Sequence, residues 1–187
     1  MLNKFAFFKV AIKNLKVSGT IIPSSQFLAK KLIKEIDFSK ADVIIELGPG
    51  NGVITKKILK KMHPKSTLIC FEINDSFYKE LKSIKHPQLR VINKSAEKIE
   101  EVLNDLGYSK GCHIVSSLPL TNIPDDISQK ILENSFNCLD DKGTFIQYQY
   151  SLTYLNKIKT IFGKGVAVDF ELLNLPPAFI YRCIKLN

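Results

Sequence analysis

Several features that point to large classes of protein are missing from this sequence. It contains no tryptophan and no uncharged apolar run of about 20 residues, and no signal-peptide cleavage pattern follows its first residues, so neither a membrane span nor secretion is predicted. Its four cysteines lie far apart without a C-x-x-C pair, and its three histidines lack metal-ligand spacing. We therefore expect small core cysteines in a reducing cytoplasm, no disulfide framework and no metal site.

Arginine is also scarce, which bears on the choice of partner. Lysine and arginine total 27 residues against 18 acidic ones, a formal net charge of +9, yet Arg90 and Arg182 are the only arginines. A basic chain is attracted to anionic surfaces, whether RNA or phospholipid. Proteins that recognise nucleic acids usually use arginine for bidentate contacts to phosphates and bases. The scarcity of arginine therefore slightly favours a membrane surface over RNA as the partner. A lysine bias without functional meaning explains the same composition equally well.

The apolar pattern predicts a single α/β domain over residues 1–187. Predicted strands and helices alternate, which indicates a mainly parallel, seven-stranded sheet with helices on both faces. The segment Asn174–Pro177 is too short for a crossover helix, so we expect the last two strands to form an antiparallel hairpin. The predicted strands are 43–47, 67–72, 89–93, 112–117, 143–149, 166–173 and 178–186, and the predicted helices are 3–17, 24–36, 52–62, 75–85, 97–105, 126–138 and 151–160.

The most specific local pattern is a glycine-rich turn after the first predicted strand. The strand Val43–Leu47 carries an acid at Glu46, and Gly48, Gly50 and Gly52 follow it. Strand, glycine turn and helix open a nucleotide-binding βαβ unit, but Val53 stands where a dinucleotide fingerprint needs its third glycine. The Glu46 carboxylate suits a cationic ligand. The run resembles motif I, E-x-G-x-G-x-G, of the class I S-adenosylmethionine (SAM)-dependent methyltransferases; an ordinary strand-to-helix turn is the alternative.

A second acid follows the next predicted strand. Thr67–Phe71 is apolar and leads into Glu72, about 20 residues beyond the glycines, the spacing expected of a ribose-binding carboxylate. A carboxylate accepts hydrogen bonds from both ribose hydroxyls. The alternative for Glu72 is an acid favoured at a helix N-terminus, because Asn74 and Asp75 open the next predicted helix.

Serines follow the third and fourth predicted strands. Many methyltransferases carry an acid–alanine pair where this chain has Ser95 and Ala96, so we expect Ser95 near the adenine; a helix N-cap is the alternative. Enzymes that methylate adenine amines carry Asn or Asp where this chain has Ser117, and an aromatic residue where it has Leu120. Leucine cannot stack on a flipped base as an aromatic ring does, which disfavours base methylation.

Four segments together resemble one family. They are Gly19–Ser25, Ser116–Leu120, Gln147–Tyr150 and Asn174–Arg182. They are similar to the corresponding segments of the bacterial phospholipid N-methyltransferases, soluble, membrane-associating relatives of the ribosomal RNA adenine dimethylases. The resemblance implies a Rossmann-like class I methyltransferase fold. It also implies SAM as cofactor and methylation of phosphatidylethanolamine and its methylated intermediates toward phosphatidylcholine.

The motifs and the resemblance together predict three groups of site residues. The predicted cofactor-binding residues are Thr20, Ser24, Glu46, Gly48, Gly50, Asn51, Gly52, Glu72, Ile73, Ser95, Ala96 and Ser116. The predicted catalytic residues are Ser117, Tyr148 and Tyr150. The predicted substrate-binding residues are Leu118, Pro119, Tyr181 and Arg182, with Arg182 either on the lipid phosphate or simply at the surface.

The first 17 residues predict a basic amphipathic helix. Its apolar positions are Leu2, Phe5, Phe8, Ile12 and Leu15, and its lysines include Lys9, Lys13 and Lys16 on the other face. Such a helix either lies in an anionic lipid interface or packs on its own domain. With a phospholipid substrate, the expected location is the inner face of the cytoplasmic membrane, with nucleic acid an unlikely partner. The alternatives are an RNA adenine N6-methyltransferase and a non-catalytic SAM-binding protein.

Overall fold

The computed structural model describes residues 26–186. Seven strands form one sheet: Val43–Leu47 (β1), Thr67–Phe71 (β2), Leu89–Ile92 (β3), Gly111–Ser116 (β4), Leu139–Gln149 (β5), Val166–Glu171 (β6) and Ala178–Ile184 (β7). The α-helices described are Gln26–Ile33 (α1), Val53–Leu59 (α2), Asp75–Lys82 (α3), Ile99–Asp105 (α4), Asp125–Cys138 (α5) and Leu155–Phe162 (α6). Short 3₁₀ helices lie at Ala96–Lys98, Leu120–Asn122 and Gly163–Gly165.

The strand order is β3-β2-β1-β4-β5-β7-β6. The first five strands in this order are parallel, and β7 pairs antiparallel with both β5 and β6. This order confirms the predicted sheet and its terminal hairpin. The chain leaves β1 toward β2 on one side and returns to β4 on the other, which creates the crevice where ligands of doubly wound sheets bind.

Burial on both faces explains the apolar runs of the central strands. Every residue of β1 is buried, and its side chains enter two separate apolar clusters. Ile45 and Leu47 pack with α5 residues such as Ile131, whereas Ile44 packs with α1 and α2 residues such as Leu32. A strand covered on both sides lacks polar alternation, which is why the run at 43–47 was readable as a parallel strand.

The strand ends position the loops that follow them. The Gly48 N–H donates to the Phe71 carbonyl at 3.0 Å, and the Ser117 N–H donates to the Leu47 carbonyl at 2.9 Å. These bonds continue the β1–β2 and β1–β4 ladders by one residue. The residues after β1, β2 and β4 therefore meet at the carboxyl edge of the parallel strands.

One strand begins earlier than predicted. The run Asp140–Gly143 has the composition of a turn, so the sequence pattern placed the strand start at 143, whereas β5 begins at Leu139 directly after α5. Lys142 has φ +63°, and the β4–β5 register shifts between Gly111 and His113. The polar segment is thus an irregular start of the strand, with the regular ladder beginning at Thr144.

Some predictions fall on residues that the structure does not describe. The amphipathic helix at 1–17, the segment Gly19–Ser25, and Thr20 and Ser24 within that segment lie outside 26–186. Within 26–186, no helix has both the length and the apolar composition needed to cross a bilayer.

Candidate active site

A cavity of about 330 Å³ lies at the carboxyl edge of the parallel strands. Its volume is within the range typical of small-molecule sites. The loops after β1, β2, β3, β4 and β5 all contribute to its wall. The lining residues are Gly48, Gly50, Phe71, Glu72, Ile73, Phe77, Lys94, Ser95, Ala96, Ser117, Leu118, Pro119, Thr121, Asn122, Ile131, Tyr148, Gln149, Tyr150 and Ser151.

The glycine turn presents bare backbone to this cavity. Gly48 has φ +66°, and a β-carbon there would lie 2.7 Å from Leu118 Cδ2, so a larger residue would collide with the opposite wall. Gly50 has φ +55°, with open space where its β-carbon would be. Both residues adopt a conformation that glycine reaches without strain. The turn therefore lets a ligand approach the main chain closely.

Glu72 is held in place by backbone donors at the end of β2. Its Oε2 accepts from the Gly50 N–H at 3.1 Å, and its Oε1 accepts from the Asn74 N–H at 2.8 Å. Asn74 caps α3 by accepting from the Ser76 and Phe77 N–H groups, as its position in the sequence predicted. The carboxylate thus joins the glycine turn to the start of α3 while remaining on the cavity wall.

Glu46 does not line the cavity; it is fully buried beneath α2. Its Oε2 accepts from Thr55 Oγ1 at 2.7 Å and from Cys70 Sγ at 3.4 Å, while its Oε1 is buried and has no hydrogen-bond partner within residues 26–186. Burial raises the pKa of Glu46 to about 7, against the lowering effect of the two donors. Glu46 therefore lies behind the glycine turn, and its predicted cofactor-binding role stays a prediction.

Another part of the cavity wall comes from the residues after β3. Ser95 is buried and caps the 3₁₀ helix Ala96–Lys98, its Oγ accepting from the Glu97 N–H at 3.4 Å, so the alternative of a helix cap is confirmed. Ser95, Ala96 and Ile73 all line the cavity. Contact between Ser95 and an adenine stays a prediction, and the buried apolar surfaces of Ile73 and Ala96 suit a flat ring.

The other end of the cavity is uncharged and aromatic. Ser117 Oγ is buried and has no hydrogen-bond partner among the described residues. Tyr148 and Tyr150 both line the cavity, with ring centroids 5.8 Å apart and planes at 73°. All three predicted catalytic residues are thus brought together. Two aromatic faces can hold a cation, and a serine hydroxyl lining the same cavity can accept a hydrogen bond from an amine.

Two buried glutamines of β5 hold the loop that carries Leu118 and Pro119. Gln147 Nε2 and Gln149 Nε2 both donate to the Leu118 carbonyl, at 3.0 and 2.9 Å. Gln149 also lines the cavity. The loop after β4 is therefore clamped from the neighbouring strand, which orients Ser117 and Pro119 toward the cavity.

Leu120 turns away from this cavity. It is fully buried in the apolar cluster shared with Ile123 and Ile127. The position where adenine methylases carry a stacking ring is thus part of the core in this chain. The polar groups that follow it, Thr121 and Asn122, line the cavity instead.

Several predicted site residues do not line the cavity. Tyr181 is buried, its hydroxyl donates to the Ser151 carbonyl at 2.8 Å, and burial raises its pKa to about 12. Arg182 lies on the opposite face of β7 and forms an ion pair with Glu35 at 3.2 Å. Ser116 is buried beneath the Leu118 loop. Asn51 and Gly52 form the start of α2 behind the turn.

Some lining residues were not predicted from the sequence. Lys94 directly follows the predicted strand 89–93, a position that signals a ligand contact, whereas Phe71 lies within a predicted strand and Phe77 within a predicted helix. Asn122 and Ile131 had no such signal, because a bend at the 3₁₀ helix and the choice of face on α5 bring them to the cavity.

The cavity has the donor set that SAM requires. Glu72 offers a carboxylate, the glycine turn offers open backbone, and Ser117 offers an unpaired hydroxyl at the far end. Apolar residues between these groups suit the adenine ring. The residues present therefore fit this cofactor.

Comparison with known sequences gives two kinds of relative. The chain is 27% identical over 181 residues to the ornithine lipid N-methyltransferase of Singulisphaera acidiphila, covering 96% of this chain and 94% of that protein. It is 28% identical over 130 residues to ribosomal RNA small subunit methyltransferase A of Thermotoga petrophila, covering 68% of this chain and 46% of that protein. The chain thus spans about half the length of the ribosomal RNA relative.

Fold and family agree with these relatives. A SAM-dependent methyltransferase from Aquifex aeolicus superposes with a TM-score of 0.63 at 13% identity, covering 86% of this chain and 90% of that one, which shows the shared fold. The family described as ribosomal RNA adenine dimethylase matches residues 16–164. The predicted fold class and the predicted cofactor, SAM, are both confirmed. The chain belongs to the ribosomal RNA adenine dimethylase family of class I SAM-dependent methyltransferases.

Proposed function

We propose that the chain transfers methyl groups from SAM to the amine headgroup of a phospholipid, phosphatidylethanolamine and its methylated intermediates, at the cytoplasmic membrane surface. The observation that carries the proposal is the acceptor end of the cavity, where Ser117, Tyr148 and Tyr150 meet. No carboxylate from the described residues lines this end, and no aromatic ring stands in the loop after β4. The near full-length similarity to a lipid N-methyltransferase supports it.

These residues suit an amine that gains methyl groups. Bound SAM supplies the electrophilic methyl group, so the chain needs chiefly to orient the amine and exclude water. The ethanolamine nitrogen must first lose a proton, and Ser117 can accept a hydrogen bond from it or pass the proton to water. As methyl groups accumulate, the faces of Tyr148 and Tyr150 attract the growing quaternary ammonium.

Adenine methylation of RNA is the second candidate, favoured by the family match and by relatives such as the Thermotoga petrophila enzyme. The buried Leu120 argues against it, because no ring from that position is available to stack on a base. The net charge of +9 is compatible with either acceptor.

Labelled SAM separates the candidates when it is incubated with vesicles of phosphatidylethanolamine, with vesicles of ornithine lipid, or with ribosomal RNA. We expect label in phosphatidylethanolamine. Label in ornithine lipid alone would support a lipid amine as the acceptor but would show that the headgroup is not ethanolamine. Label in RNA alone would overturn the proposal. Label in none of them would favour a non-catalytic SAM-binding protein.

A pair of variants ties the activity to this cavity. Tyr150→Phe keeps the aromatic face, whereas Tyr150→Leu removes it. We expect Tyr150→Leu to lose the second and third methylations more than the first, by about tenfold if the cation–π contribution is near 1–2 kcal/mol. Tyr150→Phe should keep the product distribution of the wild type.

A further inference from the structure

The turn between β6 and β7, residues 172–177, carries the three most exposed large apolar side chains of the described residues. Leu172 is 71% exposed, Leu173 66% and Leu175 80%. We call this segment the leucine turn. Soluble proteins rarely place several large apolar side chains together in water without a partner.

The leucine turn is held by its own hydrogen bonds. The Leu173 N–H donates to Glu171 Oε1 at 2.9 Å, and Asn174 Nδ2 donates to the Pro176 carbonyl at 2.7 Å. Pro176 and Pro177 have no N–H to satisfy. The two prolines and the bonded Leu173 N–H reduce the number of backbone donors that need water, which suits a shallow position in a lipid interface.

Neighbouring rings enlarge the apolar surface. Phe170 is 41% exposed and packs on Phe179 with ring centroids 4.8 Å apart. Helix α1 lies beside β6, the strand that contains Phe170, as shown by the hydrogen bond from Lys31 Nζ to the Phe170 carbonyl at 2.6 Å. Phe27, one helical turn before Lys31, is half exposed.

The net charge of the chain favours an anionic partner. The leucine turn has no charged residue. Asp169 and Glu171, the acids of β6 that precede it, lie 3.1 and 4.0 Å from Lys31 Nζ, which offsets one of their two charges. Lys30 is exposed on α1, and the whole chain carries a net charge of +9. Exposed leucine and phenylalanine bordered by lysine are the composition that binds anionic membrane surfaces.

The leucine turn lies at the same edge of the sheet as the active site. Glu171 pairs with Ala178, and Gln149, which lines the cavity, pairs with Phe179. We propose that the leucine turn inserts into the interfacial layer of an anionic phospholipid bilayer and holds the cavity against the headgroups. This inference rests on the proposed lipid substrate and names a surface that presents it.

The absence of tryptophan provides a direct test. The Leu173→Trp variant has its single tryptophan in the leucine turn. The Leu186→Trp variant has its single tryptophan beyond the end of β7, at the edge of the sheet opposite the turn. Both variants are mixed with vesicles of phosphatidylglycerol and phosphatidylcholine that lack any amine acceptor. We expect a blue shift, and quenching by brominated acyl chains, for Leu173→Trp only. Equal behaviour of the two variants would overturn the proposal.

Removing the leucines tests their contribution to binding. The combined change of Leu172, Leu173 and Leu175 to Ser should weaken vesicle binding at least about tenfold, with SAM affinity unchanged. The matched control changes Leu106, Ile184 and Leu186, exposed apolar residues at the opposite edge, to Ser. Unchanged vesicle binding by the turn variant, or loss of a dimer in light scattering without loss of vesicle binding, would contradict the proposal.

The two proposals fail in different ways. Because these vesicles contain no methyl acceptor, binding is measured independently of catalysis. Insertion of the turn without methylation of phosphatidylethanolamine would overturn the proposed function alone. Methylation with no contribution from the turn would overturn the inference alone.

Discussion

Gly50 lies in the glycine turn and forms a hydrogen bond with Glu72, the acid predicted to bind the ribose of the cofactor. Its N–H donates to Glu72, its φ is +55°, and the space beside its α-carbon is open. A β-carbon there would meet nothing within 4 Å among the described residues, so we expect an effect beyond backbone strain to report a ligand in that space.

We expect Gly50→Ala to lower the free energy of unfolding by about 1 kcal/mol, the strain of a left-handed alanine. The Kd for SAM should rise by roughly tenfold, because the methyl group would occupy the ligand's approach to the backbone. Gly107→Ala is the matched control: Gly107 has φ +81°, also with open space, after α4. It should cost similar stability without changing SAM affinity, as measured by urea unfolding and equilibrium dialysis.

Glu46 is a buried carboxyl group whose charge is costly. Its pKa of about 7 lies above the ordinary value of 4.5 because burial disfavours the anion. The folded state therefore binds a proton that the unfolded state releases. The stabilisation that this proton gives is fully present below pH 4.5 and is lost as the pH rises through 7.

Glu46→Gln should remove this pH dependence. Relative to wild type, the variant's free energy of unfolding should rise between pH 5 and pH 8, by on the order of 1–3 kcal/mol. Urea titrations of both proteins at the two pH values measure the difference between their free energies of unfolding. The contributions of the other titrating groups are the same in both proteins and cancel in this difference. A difference that does not change with pH would show that Glu46 titrates normally.

At the scale of elements, β5 shapes the acceptor loop through its side chains. Gln147 and Gln149 both donate to the Leu118 carbonyl, so a strand and the loop after its neighbour act as one unit. Gln149 also reaches the cavity wall. This clamp fixes the loop that bears Ser117.

Gln149→Leu should lower kcat/KM for the amine acceptor by about tenfold while leaving SAM affinity nearly unchanged, because only the acceptor loop loses a bond. Gln88→Leu provides a control, since Gln88 Nε2 donates to the carbonyls of His63 and Ser66 at the opposite edge. Both variants should lose about 1 kcal/mol of stability. Equal kinetic effects of the two would mean that Gln149 acts only through stability.

The sequence pattern predicted elements better than it predicted side-chain directions. Buried strands such as β1 have no polar alternation and were located to the residue. The turn-like Asp140–Gly143 concealed the start of β5, because a strand can begin irregularly. Tyr181 and Arg182 are neighbours on β7 and point to opposite faces. Neither lines the cavity, because both lie further along β7 from the carboxyl edge of the parallel strands than Ala178, where the strand begins.

At the scale of the whole molecule, the family and the acceptor are separate questions. The glycine turn and Glu72 predicted a class I SAM-dependent methyltransferase, and the family match and the sheet order agree with that prediction. In the proposed function, the acceptor depends on a few residues after β4 and β5, of which Ser117 and Tyr150 line the cavity. Family membership therefore leaves the acceptor to be measured.

The placement of the β6–β7 hairpin has a consequence for how such a protein can change over evolutionary time. The turn at 172–177 contributes no side chain to the lining of the cavity. Substitutions that change the apolar surface of this turn can thus accumulate while the lining of the cavity stays intact.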